Sequence, residues 1–110
     1  MQPIGVPRGN EVKHAAYLDH LHSGALSRQQ RAVMRVLALA TVALTRHEIA
    51  ERAGMALSAS CGRVAELMHL DYIEVAGTKR EPGARSARSA LRLTDKGRVE
   101  LSRIEEEQPA

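Results

Sequence analysis

The sequence predicts a mostly helical α+β domain in which three helices precede a β-hairpin and a last helix. Two segments begin with a helix-capping pattern, Ser or Thr followed three residues later by Gln or Glu, at Ser27 and Thr45. Apolar residues recur at spacings of three and four after these starts. Two short segments with alternating apolar residues, 72–76 and 90–94, flank a loop that contains the turn signal Pro82-Gly83.

Length and charge limit the function classes. A chain of 110 residues supports one domain with one modest core. Phe and Trp do not occur and only two Tyr are present. Single-strand binding proteins usually stack bases on aromatic side chains, so the composition argues against this class. The formal charge is +3, but residues 1–104 carry sixteen basic and ten acidic groups, a net of +6. This basic excess favours an anionic partner.

Several other classes are not supported. No apolar segment approaches the length of a membrane span and no signal peptide is evident, so we expect a cytoplasmic protein. The single cysteine, Cys61, excludes an intrachain disulfide and a cysteine-based zinc cluster. His20 and His22 are two positions apart on a predicted helix, so they point away from each other and no metal site is expected. No catalytic Ser-His-carboxylate grouping and no glycine-rich phosphate loop occurs, so we expect neither an enzyme nor a cofactor.

We divide the chain into four regions: an N-terminal arm at 1–10, a helix with its linker at 11–26, the main domain at 27–104 and an acidic tail at 105–110. Asn10 can cap the N-terminal helix, which ends near His22. Its narrow apolar side, Tyr17, Leu18 and Leu21, can dock on the main domain or pair with a second copy.

The main domain has four predicted helices. The first runs from Ser27 to about Ala40, and the second from Thr45 to Gly54, where a left-handed residue can end the helix and begin a turn. The third spans 58–70, and the last is capped by Thr94, with Leu101 and Ile104 inward. On the third helix the expected inward residues are Leu57, Cys61, Val64, Leu67 and Met68, and the expected outward residues are Ser58, Ala59, Gly62, Arg63, Glu66 and His69.

The outward side of the third helix is small and polar in its first half, so it can approach a polyanion closely. Gly62 inside a helix destabilises it by about 1 kcal/mol relative to alanine. Three explanations for a glycine here are open: close approach of DNA, close packing of another helix, or simple tolerance. Arg63 can recognise a guanine edge or pair with Glu66 or Glu48. Glu66 can accept from a cytosine amino group or pair with Arg63. Ser58 is expected to cap the helix, and Ser58 and Ser60 can also donate to phosphates.

The hairpin joins strands at 72–76 and 90–94 by a long basic segment at 78–88, which we call the wing. It carries a net charge of +3 in eleven residues, from Lys79, Arg80, Arg85 and Arg88 against Glu81. Charged segments are usually solvated surface, but a position directly after a candidate recognition helix favours contact with phosphates or the minor groove.

These elements together resemble the winged helix-turn-helix superfamily. The resemblance covers residues 27–104 and rests on the segments TRHEIAERAG, SASCGRVAEL, YIEV and LRLTDKGR in this order. The last segment is similar to MarR and PadR regulators, and the SASCGRVAEL helix to small phage and prophage winged-helix proteins. The resemblance implies double-stranded DNA binding, transcriptional control and often dimers, although MarR and PadR proteins dimerise through longer terminal helices than this chain has.

The sequence therefore predicts a DNA-binding transcription regulator, either alone or as a homodimer. The helix at 58–70 is expected in the major groove, with Ala59, Gly62, Arg63 and Glu66 nearest the bases. Arg46 and His47 are expected on the DNA backbone, and the four basic residues of the wing on the backbone or in the minor groove. The alternative is a winged-helix adaptor or inhibitor, of the kind that phages encode, that uses the same Gly62 and Arg63 face to bind a protein.

Overall fold

The computed structural model describes residues 26–107, which contain four helices and one antiparallel hairpin. The elements are α1 (Arg28–Leu39), α2 (Arg46–Ala53), α3 (Leu57–His69), β1 (Ile73–Lys79), β2 (Arg88–Leu93) and α4 (Asp95–Glu107). This order confirms the predicted mostly helical α+β class. The predicted arm, the N-terminal helix with His20 and His22, and residues 108–110 lie outside the described residues.

Both predicted capping boxes are present. The Gln30 backbone N–H donates to Ser27 Oγ at 3.1 Å, and the Ser27 backbone N–H donates to Gln30 Oε1 at 2.7 Å. Thr45 and Glu48 make the same reciprocal pair at 3.2 and 2.9 Å. Each box satisfies amides that a helix start leaves unpaired and contributes on the order of 1 kcal/mol.

Short turns orient the remaining helices. Gly54 has a φ of 67°, the left-handed conformation that a residue without Cβ adopts at little cost, and α3 begins three residues later. Thr94 caps α4 by accepting from the Gly97 backbone N–H at 2.9 Å. The Thr94 hydroxyl also donates to the Asp71 carbonyl at 2.6 Å, so this cap ties α4 to the segment after α3.

The hairpin packs on the helices at its base. Leu44 pairs with Leu91 through two backbone hydrogen bonds of 2.8 and 3.0 Å, so the segment before α2 extends the sheet by one residue. Leu91 and Leu93 are buried as predicted, whereas Val75 is 47% exposed because β1 leaves the core after Ile73. All four helices contribute to the aliphatic core, whose buried members are Val33, Met34, Leu37, Leu44, Ile49, Val64, Leu67, Ile73, Leu91, Leu93 and Leu101.

The predicted orientation of α3 is wrong by a rotation about the helix axis. Cys61 and Leu57 were expected inward, but both are exposed, and Ser60 is fully buried instead. Ser60 is tolerated in the interior because its hydroxyl donates to the Arg46 carbonyl at 2.8 Å. Ser58 is not the cap either: the N-cap is Ala56, which makes no side-chain capping bond, and Ser58 lies exposed in the first turn.

The last helix is longer than expected. It continues through Glu107, so the three glutamates 105–107 that the sequence places in an acidic tail are helical. Arg103 Nη1 pairs with Glu107 at 2.8 Å and Arg35 Nε with Glu105 at 3.4 Å, so part of this acidic charge is balanced locally. No helix between residues 26 and 107 is long and apolar enough to cross a membrane.

Candidate nucleic-acid interface

Between Leu57 and His69, which are exposed at its two ends, the exposed side of α3 consists of small residues. We call Ser58, Cys61, Gly62 and Ala65 the open face of α3; all but Gly62 are exposed, and Gly62 is half-buried. A Cβ added at Gly62 would have no atom within 4 Å apart from its own helix and neighbours. Close packing of another helix therefore does not explain this glycine within residues 26–107. A face without bulky side chains allows another molecule to approach the helix backbone.

Glu66 does not belong to this exposed side. It was expected outward, but its carboxylate is only 6% exposed because it is turned toward α1. Gln30 Nε2 donates to Glu66 Oε1 at 2.7 Å, and Arg63 Nη2 lies 2.7 Å from Glu66 Oε2. The salt bridge is thus the alternative that the structure adopts. Arg63 remains 31% exposed, with its guanidinium held at the edge of α3 rather than extended from it.

Burial raises the pKa of Glu66 to about 6 from its ordinary value of 4.5. The cause is loss of solvation of the carboxylate between α1 and α3. Arg63, which is partly exposed, does not reverse this direction. The folded protein therefore binds a proton at Glu66 more tightly than the unfolded chain does.

This shift predicts a pH dependence of stability that Glu66→Gln should remove. The contribution is complete below about pH 4.5 and is lost as the pH rises through about 6, so it amounts to about 1 to 2 kcal/mol between pH 4.5 and 7. Urea unfolding of wild type and Glu66→Gln at both pH values measures it. The variant should lose less stability than wild type on this rise, and equal losses in the two proteins would contradict the assignment.

The base of the wing is joined to the start of α2 by charged contacts. Lys79 Nζ lies 3.0 Å from Glu48 Oε1 and donates to the Ala43 carbonyl at 3.0 Å. Burial acts to raise the pKa of Glu48, but the hydrogen bond from the Thr45 backbone and the nearby Lys79 outweigh it, so the pKa is lowered. Glu48 is therefore a negatively charged partner that partly neutralises Lys79.

A second group of contacts surrounds Arg88. Its Nη1 lies 2.8 Å from His47 Nδ1 and 3.7 Å from Glu81 Oε2. Because a guanidinium only donates, His47 Nδ1 acts as the acceptor and the imidazole proton resides on Nε2. Glu81 Oε1 also accepts from the hydroxyl of Thr45, the buried N-cap of α2. Three of the predicted backbone-contacting residues, Lys79, Arg88 and His47, are thus already engaged with the protein.

The tip of the wing differs from its base. Arg80 and Arg85 are exposed, and no ion pair or hydrogen bond of either side chain is recorded within the described part of the chain. Arg46, at the start of α2, is half-buried and its Nη2 lies 3.8 Å from the Met68 sulfur. Arg80 and Arg85 are therefore the two wing cations that can bind an external anion without first breaking an internal contact.

Sequence reasoning missed two contributors to this region. Gln30 was recognised only as half of a capping box, although its amide also reaches Glu66 on α3. Glu81 was counted only as the acidic member of the wing, although it contacts Thr45 and Arg88. Neither contact has a local signal, because the partners are 36 residues apart for Gln30 and Glu66 and again for Thr45 and Glu81.

The described residues contain no group of three or more His, Cys, Asp or Glu side chains that could hold a metal ion.

No protein-family model and no curated protein sequence matches the chain.

Solved structures of transcription regulators are similar to this fold. The MarR repressor from Listeria monocytogenes 4b F2365 has a TM-score of 0.62 at 21% identity, with 90% of this chain and 64% of that chain covered. Wild-type MarR from E. coli has a TM-score of 0.61 at 15% identity, with 92% and 76% covered. The transcriptional repressor CouR, bound to a 23-mer DNA duplex, has a TM-score of 0.60 at 23% identity, with 96% and 78% covered.

The chain spans 64% of the length of the Listeria repressor and 62% of the length of another similar structure, the MarR-family transcription regulator SP03579. At identities of 15 to 23% the likeness concerns the fold. Helices α2 and α3, the tight turn at Gly54 and the basic hairpin occur in the expected order. The chain therefore has the winged helix-turn-helix fold found in MarR-family transcription regulators.

Proposed function

We propose that the protein binds double-stranded DNA with sequence preference and regulates transcription, with α3 in the major groove. The observation that carries this proposal is the open face of α3, which is free of bulky side chains and is followed directly by a hairpin with two exposed arginines. A helix with such a surface can enter the groove deeply while the hairpin contacts phosphates. The likeness of the fold to CouR, which was solved bound to a DNA duplex, supports DNA binding by this chain.

The open face also indicates how bases would be recognised. Ala65 on this face and the half-buried Ala59 beside it can contact thymine methyl groups, and Ser58 can donate to or accept from a base edge or a phosphate. Gly62 lets the helix backbone approach the bases. Arg63 contributes from the groove edge while it remains paired with Glu66. Glu66 itself is buried, so we do not include it among the base contacts. We therefore expect a preference that depends on thymine positions and groove shape more than on guanine recognition.

Phosphate contacts come from both sides of α3 in this proposal. Arg46 and His47 lie at the start of α2, and Arg80 and Arg85 extend from the wing. Lys79 and Arg88 contribute less at first because Glu48 and Glu81 already pair with them. Two copies on one duplex would place their half-sites about 34 to 36 Å apart, or a multiple of that distance.

Selection from a random duplex library tests the function directly. We expect enrichment of a motif, with binding that weakens as salt rises because counterions are released from the duplex. Methylation of guanine N7, which faces the major groove, should interfere at positions under α3. Palindromic motifs would indicate a dimer. If no duplex is enriched and binding does not respond to salt, the adaptor or inhibitor function is favoured instead.

The double variant Arg80→Ala with Arg85→Ala tests the wing. Loss of two phosphate contacts should weaken binding to selected and unrelated duplexes alike by roughly tenfold or more, and flatten the salt slope by about 1.8. Gel shifts over a salt series measure both quantities. Arg98→Ala with Arg103→Ala removes the same charge from exposed positions on α4 and should change binding less. Equal losses in the two double variants would show that total charge, not the wing, determines affinity.

A further inference from the structure

The start of α2 carries the chemistry of a phosphate site, but a carboxylate from the wing fills it. Glu81 Oε1 accepts from the Thr45 hydroxyl, and Glu81 Oε2 lies 3.7 Å from Arg88 Nη1. Thr45 is fully buried, so its hydroxyl is held in place. A hydroxyl donor and a guanidinium beside a helix N-terminus are groups that bind a phosphate oxygen. Glu81 thus occupies the Thr45 donor and balances the charge of Arg88 with one carboxylate, while Arg88 Nη1 also donates to His47 Nδ1 at 2.8 Å.

Glu81 differs from the other carboxylate at this helix start. Glu48 is fixed within α2, where it accepts from the Thr45 backbone and pairs with Lys79. Glu81 lies in the loop between β1 and β2, where its carbonyl accepts from the Ala84 backbone N–H at 3.0 Å and closes a turn. Its side chain can leave Thr45 and Arg88 by rotation within this loop, without unfolding a helix. Glu81 is therefore the exchangeable anion of the two.

We infer that Glu81 is an internal competitor of the DNA phosphate, an inference that rests on the proposed DNA-binding function. In the free protein its carboxylate neutralises Arg88 and uses the donor of Thr45. On DNA a backbone phosphate takes over Arg88 and Thr45, and Glu81 turns outward. Each binding event must break the contacts of Glu81 with Arg88 and Thr45, so Glu81 lowers the affinity for all duplexes.

Glu81→Gln tests this competition without removing the anchor of the wing. The amide oxygen still accepts from Thr45, but the charge that holds Arg88 is lost. We expect duplex binding to become tighter by roughly five- to tenfold and the salt slope to steepen by about 1, since Arg88 then releases one more counterion. Glu81→Ala, which removes the whole carboxylate, should shift both quantities in the same direction. Urea unfolding establishes that each variant is folded.

A matched control separates competition from a general gain of positive charge. Glu51 is exposed on α2 and has no ion pair recorded among residues 26–107. Glu51→Gln therefore removes one negative charge from α2, the helix whose N-cap Glu81 contacts, without freeing a cation, and it should tighten binding by less than about twofold. An effect equal to that of Glu81→Gln would overturn the inference, because the gain would then be due to net charge alone.

A double-mutant cycle with Arg88→Met gives the decisive result. In the wild-type background Arg88→Met should weaken duplex binding less than it does in the Glu81→Gln background, because the lost phosphate contact is offset by the Glu81 contact that no longer has to be broken. In the Glu81→Gln background it should cancel most of the gain, since the freed guanidinium provides the added phosphate contact. Additive effects of the two substitutions would overturn the inference. If the wild type binds duplexes in a salt-dependent way but Glu81→Gln binds no tighter, this inference alone fails, whereas the absence of binding in every protein contradicts the proposed function as well.

Discussion

Replacing Gly97 with alanine is expected to destabilise the fold by about 3 kcal/mol or more. Gly97 is buried in the first turn of α4, directly against the backbone of Tyr72. An ideal Cβ at this position would overlap the Tyr72 carbonyl oxygen and lie 3.0 Å from its carbonyl carbon. The obstacle is backbone, which cannot turn aside as a flexible side chain can. The same carbonyl accepts from the Thr94 backbone N–H at 3.0 Å, so moving it disturbs the cap of α4.

Chemical denaturation of Gly97→Ala beside Gly62→Ala measures this effect with a matched control. Gly62 is also within a helix, but a Cβ there meets no atom within 4 Å, so alanine should stabilise the fold by about 0.5 to 1 kcal/mol through its higher helix propensity. The two variants should therefore shift the unfolding midpoint in opposite directions. A Gly97→Ala protein as stable as the wild type would show that α4 does not approach Tyr72 this closely.

Gln30→Ala is expected to cost about 2 to 4 kcal/mol. Gln30 is 2% exposed, and its amide group makes two contacts: Oε1 accepts from the Ser27 backbone N–H at 2.7 Å, and Nε2 donates to Glu66 at 2.7 Å. Alanine removes half of the capping box and leaves the buried Glu66 carboxylate with Arg63 as its remaining recorded partner. It also leaves a cavity between α1 and α3.

Gln29→Ala is the control for this variant, because it removes the same amide from an exposed position one residue earlier. Its effect on the free energy of unfolding should stay within about 0.5 kcal/mol of wild type. Glu66→Gln in the Gln30→Ala background should recover part of the loss, since a neutral side chain costs less to leave partly unpaired. Similar small losses for Gln29→Ala and Gln30→Ala would contradict the role of Gln30 as a link between two helices.

Local features of the fold were predictable because their causes lie within a few residues. A capping box is a contact between positions three apart, so Ser27 and Thr45 indicate where α1 and α2 begin. Gly54 marks the turn because only its own backbone conformation matters. The alternation of Leu91 and Leu93 about Arg92 likewise predicts β2 and its buried side. These signals yielded the element order and thus the fold.

The candidate site was less predictable because it depends on how elements face each other. Residue types suggested that Cys61 points inward and Glu66 outward, and both placements are wrong. The rotation of α3 follows from the Ser60 hydrogen bond to the Arg46 carbonyl and from the Gln30 contact to Glu66. Neither contact can be inferred from α3 alone, since the partners come from α2 and α1.

The sequence by itself determined the number and order of the elements in the main domain and the starts of α1, α2 and α4, and with them the winged helix-turn-helix fold. Only the tertiary structure decided which side of α3 is open and which basic residues of the wing are available. Lys79 and Arg88 look identical to Arg80 and Arg85 as charges in a sequence, but Glu48 and Glu81 lie beside the first two. Whether a basic side chain can bind DNA depends on how close it lies to a carboxylate of the protein. That distance is set by the packing of the wing against α2.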